Sequence, residues 1–108
     1  MEFIELKEFT TAFSRIASDE ELTDLQSELV KNPLKGKLVT KTGGARKVRM
    51  RLPHQGKRGG ARIIYYWQDP DNIIWLMKAY AKNEKPNLTE NEKKELSHII
   101  ADIKRGEI

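Results

Sequence analysis

The stretch that most constrains this chain runs from Ala45 to Trp67, ARKVRMRLPHQGKRGGARIIYYW. Two parts of it, Arg46–Leu52 and Ala61–Trp67, read as β-strands joined by a Gly-rich basic loop. Successive side chains of a strand face opposite ways. Val48, Met50 and Leu52 therefore share one face, and Lys47, Arg49 and Arg51 the other. On the second strand Arg62 lies with Ile64 and Tyr66, while Ile63, Tyr65 and Trp67 lie opposite. A hairpin centred near Gln55 sets Arg62 across from Arg49 or Arg51. Like charges directly opposite one another destabilise a sheet. A fold that gathers them on one face implies an anion to be held there.

At 108 residues the chain is expected to form one domain over 1–108, with a single core. Its net charge of +4 is only mildly basic, so placement matters more than the sum. Between Gly36 and Arg62 every charged side chain is Lys or Arg; the acids lie before Lys31 or from Asp69 onward. One cationic region between mixed flanks is the footprint of a nucleic-acid or phosphate partner, with an acidic protein partner as the competing explanation. The absence of cysteine excludes disulfides and thiolate chemistry. No apolar run approaches a membrane span, and MEFIELKEF lacks a signal-peptide pattern, so a cytoplasmic location with no membrane partner is expected.

Met1–Leu6 alternates and suits an edge strand. Leu6, Phe9, Phe13 and Ile16 recur at helical spacing, which predicts a helix over Lys7–Ala17. Ser18 and Glu21 make a capping box for a second helix whose inner face is Leu22, Leu25, Leu29 and Val30, ended by Asn32-Pro33. Such closely joined helices form an αα-hairpin. Pro33 to Gly44 has no clean period and reads as a loop. Asp69-Pro70-Asp71-Asn72 is a turn. It leads to a strand over Ile73–Lys82, with Ile73, Trp75, Met77, Ala79 and Ala81 on one face and Ile74, Leu76, Lys78, Tyr80 and Lys82 on the other. That turn puts Arg62 opposite Ala79 or Tyr80. Thr89 and Glu92 cap a last helix with Leu96, Ile99, Ile100 and Ile103 inward, and Gly106 closes it. The order β-α-α-β-β-β-α predicts an α+β fold: a small antiparallel β-sheet flanked by an N-terminal helical hairpin and a C-terminal helix, with the helices packed on one side.

The main chemical constellation is Lys47, Arg49, Arg51, Arg62, Tyr80 and Lys82, with Lys57 and Arg58 on the hairpin tip. Arginine grips phosphate bidentately and lysine adds a mobile point charge. On a firm sheet they suit an RNA backbone and the extra negative charge of an in-line phosphoryl transfer. A crowded lysine, its pKa lowered, suits a general base toward a 2′-hydroxyl. The plainer alternative is a solvated strand face whose cations keep an edge soluble. Tyr65, Trp67 and Trp75 fall on the apolar face and are expected in the core rather than stacked on bases. Tyr66 shares Arg62's face. His54 in the loop is a possible acid or base, against the plainer reading of a solvated loop histidine. His98 is expected to be structural or exposed. Gly56-Lys57-Arg58-Gly59-Gly60 lacks P-loop spacing, and no His and carboxylate pair has metal-ligand spacing, so no metal and no cofactor are expected.

Thr42-Gly43-Gly44, then RKVRM, GKRGGARIIYYW, a strand ending AYAKNE, and LTENEKKEL together resemble the RelE/ParE toxin superfamily, and HigB-type toxins of type II toxin–antitoxin pairs in particular. The resemblance spans about Glu28 to Ile103. It implies the RelE-like microbial ribonuclease fold and a ribosome-dependent endoribonuclease that cleaves mRNA at the ribosomal A site without metal. It places catalytic roles on Lys47, Arg49 and Arg62, with Arg51 a further candidate. In the RelE branch an arginine follows the lysine ending the last strand; here Asn83 follows Lys82. That branch's tyrosine in the closing segment also has no counterpart, since Leu88-Thr89 stands there. Tyr80, Lys82 and Lys47, in that order, are the candidates to take the 2′-hydroxyl proton. RNA or ribosome contacts fall to Arg51, Lys57 and Arg58. The implied partners are the small ribosomal subunit, mRNA and a cognate antitoxin of helix-turn-helix type. The alternatives are a ParE-like DNA gyrase poison, whose branch generally lacks this basic set, and a non-catalytic nucleic-acid-binding module.

Overall fold

The structure, a computed structural model, describes residues 1–52 and 60–108. His54, Lys57 and Arg58 lie outside the described residues. Five strands form one sheet: β1 (Glu2–Glu5), β2 (Lys37–Leu38), β3 (Arg46–Met50), β4 (Ala61–Gln68) and β5 (Ile73–Ala81), in the spatial order β1-β5-β4-β3-β2. The helices are α1 (Lys7–Ile16), α2 (Asp19–Lys31) and α3 (Glu90–Lys104). The α+β class and the flanking helices are as the sequence predicts.

Local chemistry explains most boundaries. Ser18 Oγ accepts from the Glu21 amide while Glu21 returns a bond to the Ser18 amide, and Thr89 and Glu92 repeat the arrangement at α3. The β3–β4 hairpin pairs Arg49 with Arg62, and the β4–β5 hairpin pairs Arg62 with Tyr80. Gly60 has φ +61°, and a Cβ there would fall 2.1 Å from the Met50 carbonyl oxygen, so only glycine lets β4 start so close to the end of β3.

Four expectations are corrected. First, the sheet is mixed. β1 runs parallel to β5, a strand to which no hairpin joins it and from which most of the chain separates it. Second, the helices cover both faces. Phe9, Phe13, Leu25 and Leu29 of α1 and α2 pack on Val48, Ile63, Tyr65 and Leu76, whereas Leu96, Ile100 and Ile103 of α3 pack on Ala45, Ile64, Trp75 and Met77. A strand that is apolar on both sides, as β4 is at Ile63 and Ile64, needs a layer on each. Third, the faces of β5 exchange part-way. Its register steps from Lys78 opposite Ile64 to Leu76 opposite Tyr65, leaving Met77 as an extra residue. Ile74 and Leu76 therefore face α1 and α2 while Tyr80 faces the α3 side, and Trp75 lies on the opposite face from Tyr65 and Trp67. Fourth, the segment read as a loop contains β2, which pairs Lys37 with Lys47 and Leu38 with Arg46. Smaller differences are that β3 stops at Met50 and that Val30 stays 52% exposed, off the inner face of α2.

Tyr65 ties this frame together. Its hydroxyl donates to the Pro33 carbonyl at 2.7 Å and accepts from the Gly36 amide at 2.9 Å. Burial, chiefly, pushes its pKa up, so it remains a phenol. No helix among the described residues is long and apolar enough to cross a membrane.

Candidate nucleic-acid site

The apolar stripe of α3 covers only one end of its face of the sheet. The other end, where β3 and β5 finish and β4 begins, carries polar side chains. Arg49, Arg62 and Tyr80 form one row across three paired strands. In the next row, Lys47 and Lys78 flank Ile64. The expected meeting of Arg49 and Arg62 is therefore present, and Tyr80 joins them.

The row is electrostatically tense. Arg62 is 7% exposed, and burial first, then the charge of Arg49, lower its pKa, while Tyr80 acts the other way. Its Nη1 donates at 3.4 Å to the Ala61 carbonyl. Arg49 is exposed. The Tyr80 hydroxyl is buried with no hydrogen-bond partner among the described residues. Burial, chiefly, raises the Tyr80 pKa; Arg62 opposes the rise and Glu92 adds to it. Tyr80 is thus a phenol at neutral pH, suited to give a proton or hydrogen bond rather than to take one.

The remaining sequence candidates spread around this row. Lys47 is half-buried and lines a groove of about 390 Å³ with Lys93, Asn87 and Leu88. Lys82 follows the end of β5; its amide donates to Gly60 O at 3.0 Å and its Nζ to Pro86 O at 2.9 Å. Arg51 lies past β3 and lines, with Arg49, a groove of about 400 Å³ whose far wall is Glu21, Asp24 and Glu28 of α2. Tyr66 packs toward α3 with Lys104 Nζ 5.9 Å from its ring centre. His98 is exposed on α3.

Sequence reasoning missed a charged group beside the row. Lys78 is 7% exposed and pairs with Glu8 of α1 at 2.6 Å and Glu92 of α3 at 3.9 Å. Glu92 also pairs with Lys85, whose Nζ stands 5.6 Å from the centre of the Tyr80 ring. The available signal was Lys78 itself: a lysine inside an apolar strand requires an acid from elsewhere in the chain.

Against known proteins, the fold is found again in a solved structure of E. coli toxin RelE, an arginine-to-alanine double mutant in the free state. It matches with a TM-score of 0.57 at 12% identity, covering 79% of this chain and 86% of that one. Residues 7–106 match the sequence model of the family described as the RelE toxin of the RelE/RelB toxin–antitoxin system. That match extends over most of the sequence, and the chain belongs to the RelE toxin family.

Proposed function

We propose that this toxin is an endoribonuclease of HigB type that cleaves mRNA at the ribosomal A site without a metal. The observation that carries the reading is the opposed pair Arg49 and Arg62 on adjacent strands, with the Tyr80 phenol next in the row. In a sheet without an anionic ligand that arrangement is costly. With one bound, it is a preorganised cradle for a phosphodiester.

The chemistry follows from that cradle. The ribose 2′-oxygen attacks the adjacent phosphorus in line, the bond to the 5′-oxygen breaks, and a 2′,3′-cyclic phosphate remains. Arg49 and Arg62 hold the extra negative charge on the equatorial oxygens. Tyr80, kept protonated by burial, is assigned as donor to the phosphoryl or departing oxygen. This revises its place at the head of the candidates for proton acceptor. The 2′-hydroxyl proton then falls to Lys47 or Lys82. Among the described residues no group of three or more His, Asp or Glu is placed to hold a metal ion, and the proposed charge stabilisation rests on side-chain cations. Arg51 is proposed to extend the grip along the RNA backbone, and Lys57 and Arg58 are proposed contacts for RNA or ribosome. The proposed setting is the cytoplasm, with the small ribosomal subunit and mRNA as targets and a helix-turn-helix antitoxin as the silencing partner.

The test is Arg62→Ala in a translating extract, with folding checked by circular dichroism. Cleavage is expected to fall about 10²–10³-fold, as for loss of one preorganised donor to a developing oxyanion. Full cleavage by this variant overturns the assignment. A parallel supercoiling assay separates the gyrase-poison reading.

A further inference from the structure

Glu92 holds an unusual set of partners for a helix-capping residue. Its Oε1 accepts from the Thr89 amide at 2.8 Å, closing the capping box of α3. Its Oε2 meets Lys85 and lies 3.9 Å from the Lys78 ammonium. Lys78 rises from the middle of β5, two residues before Tyr80, and Lys85 stands over the Tyr80 ring. One carboxylate thus ties the first turn of α3, the segment after β5 and the strand that carries Tyr80. Its side chain is only 20% exposed, so these bonds act where solvent screens weakly.

We infer that Glu92 is a positioning residue for the Arg62–Tyr80 pair: through Lys85 and the α3 cap it fixes the Tyr80 ring where the strand register sets it beside Arg62. The inference rests on the nuclease reading for its catalytic consequence, but its geometric part stands without it. A carboxylate needed only as a helix cap has no use for two lysines. A carboxylate needed only to neutralise Lys78 is redundant, because Glu8 already sits 2.6 Å from that ammonium. Among the described residues, the charged groups facing Tyr80 are Arg62 from β4, Lys85 from the segment after β5 and Glu92 from α3. Removing the Glu92 charge changes the balance around the phenol, and the glutamine amide oxygen can still cap the helix.

The experiment uses the full chain with Glu92→Gln and, separately, Lys85→Gln. Each variant's phenolate absorbance is followed against pH, and Tyr80 is assigned by the signal lost in Tyr80→Phe. In Glu92→Gln the Tyr80 transition is expected at lower pH than in the unaltered protein. Turnover of ribosome-bound mRNA is expected to fall between tenfold and about 10²-fold, with the apparent KM held, since misplacement rather than lost binding is the defect. Lys85→Gln is expected to lower turnover in the same way, and the double variant to lose less than the product of the two. A Glu92→Gln protein that melts lower but keeps the Tyr80 titration and full turnover overturns the inference and leaves Glu92 a helix cap. Additive losses in the double variant overturn it too. If the unaltered protein proves not to cut RNA, the nuclease reading falls, while the titration still decides whether Glu92 governs Tyr80.

Discussion

The two faces of the sheet are built from the same strands and do different work. Toward α1 and α2, each central strand contributes apolar side chains to one buried cluster, and the one phenol there, Tyr65, has partners for its hydroxyl. Toward α3, the apolar contact stops half-way, and beyond it lie Arg49, Arg62, Tyr80 and Lys78. Each face also buries a polar atom with no partner among the described residues, the Trp67 indole nitrogen toward α1 and α2 and the Tyr80 hydroxyl toward α3. On the α3 side that atom stands in a row with Arg62 and Arg49, the cations proposed to hold an anion. The comparison teaches that stability and the proposed function are divided by side of the sheet rather than by segment of sequence.

Neighbouring residues break the comparison most sharply. Arg62 and Ile63 are consecutive on β4 and face opposite layers. Arg62→Ala is expected to remove cleavage as stated above and to leave a cooperative melt. Ile63→Ala, which truncates a fully buried side chain, is expected to cost about 2–5 kcal/mol in denaturant unfolding with cleavage per folded molecule unchanged.

The two phenols sharpen it. Tyr65→Phe orphans the Pro33 carbonyl and the Gly36 amide, and chemical denaturation should register a loss of about 1–3 kcal/mol with normal activity. Tyr80→Phe removes a hydroxyl with no partner among the described residues, so its melting point should hold or rise while cleavage drops roughly 10²-fold. Equal stability losses in the two variants would erase the distinction between the faces.

The helix caps give a smaller effect. Ser18→Ala and Thr89→Ala should each cost about 1 kcal/mol of stability, read from melting curves. Only Thr89→Ala should also slow cleavage, because its cap shares Glu92 with the site. Smallest is a pH effect. Burial alone would raise the Glu92 pKa, but the hydrogen bond from Lys85 and the Thr89 amide outweigh it and the value is lowered. A lowered carboxylate pKa contributes stability above its unfolded value and loses it as pH falls through the folded one. Acid titration of stability should therefore have a shallower limb in Glu92→Gln.

Much of the fold was legible because its cues are local. Ser18 and Glu21, and Thr89 and Glu92, mark helix starts by spacing alone, and Asp69 to Asn72 marks the turn that sets Arg62 near Tyr80. The meeting of Arg62 with a β3 arginine was legible for the same reason: strand alternation and one hairpin centre leave Arg49 or Arg51 opposite it, and the structure selects Arg49. Trp75 was placed on the wrong face because the extra residue at Met77 leaves no mark in a sequence whose alternation continues on both sides.

What the sequence determined by itself was therefore the helices, every strand but β2, the hairpin centres and the cationic cluster, since each depends on period and on neighbours a few residues away. Only tertiary structure decided that β1 lies parallel to β5, that α3 takes the second face of the sheet, and that Glu92 reaches Lys78 and Lys85 beside Tyr80. Those choices turn on which distant surfaces bury one another and on how a buried charge finds its counterion, and neither has a period that a reader of the chain can count.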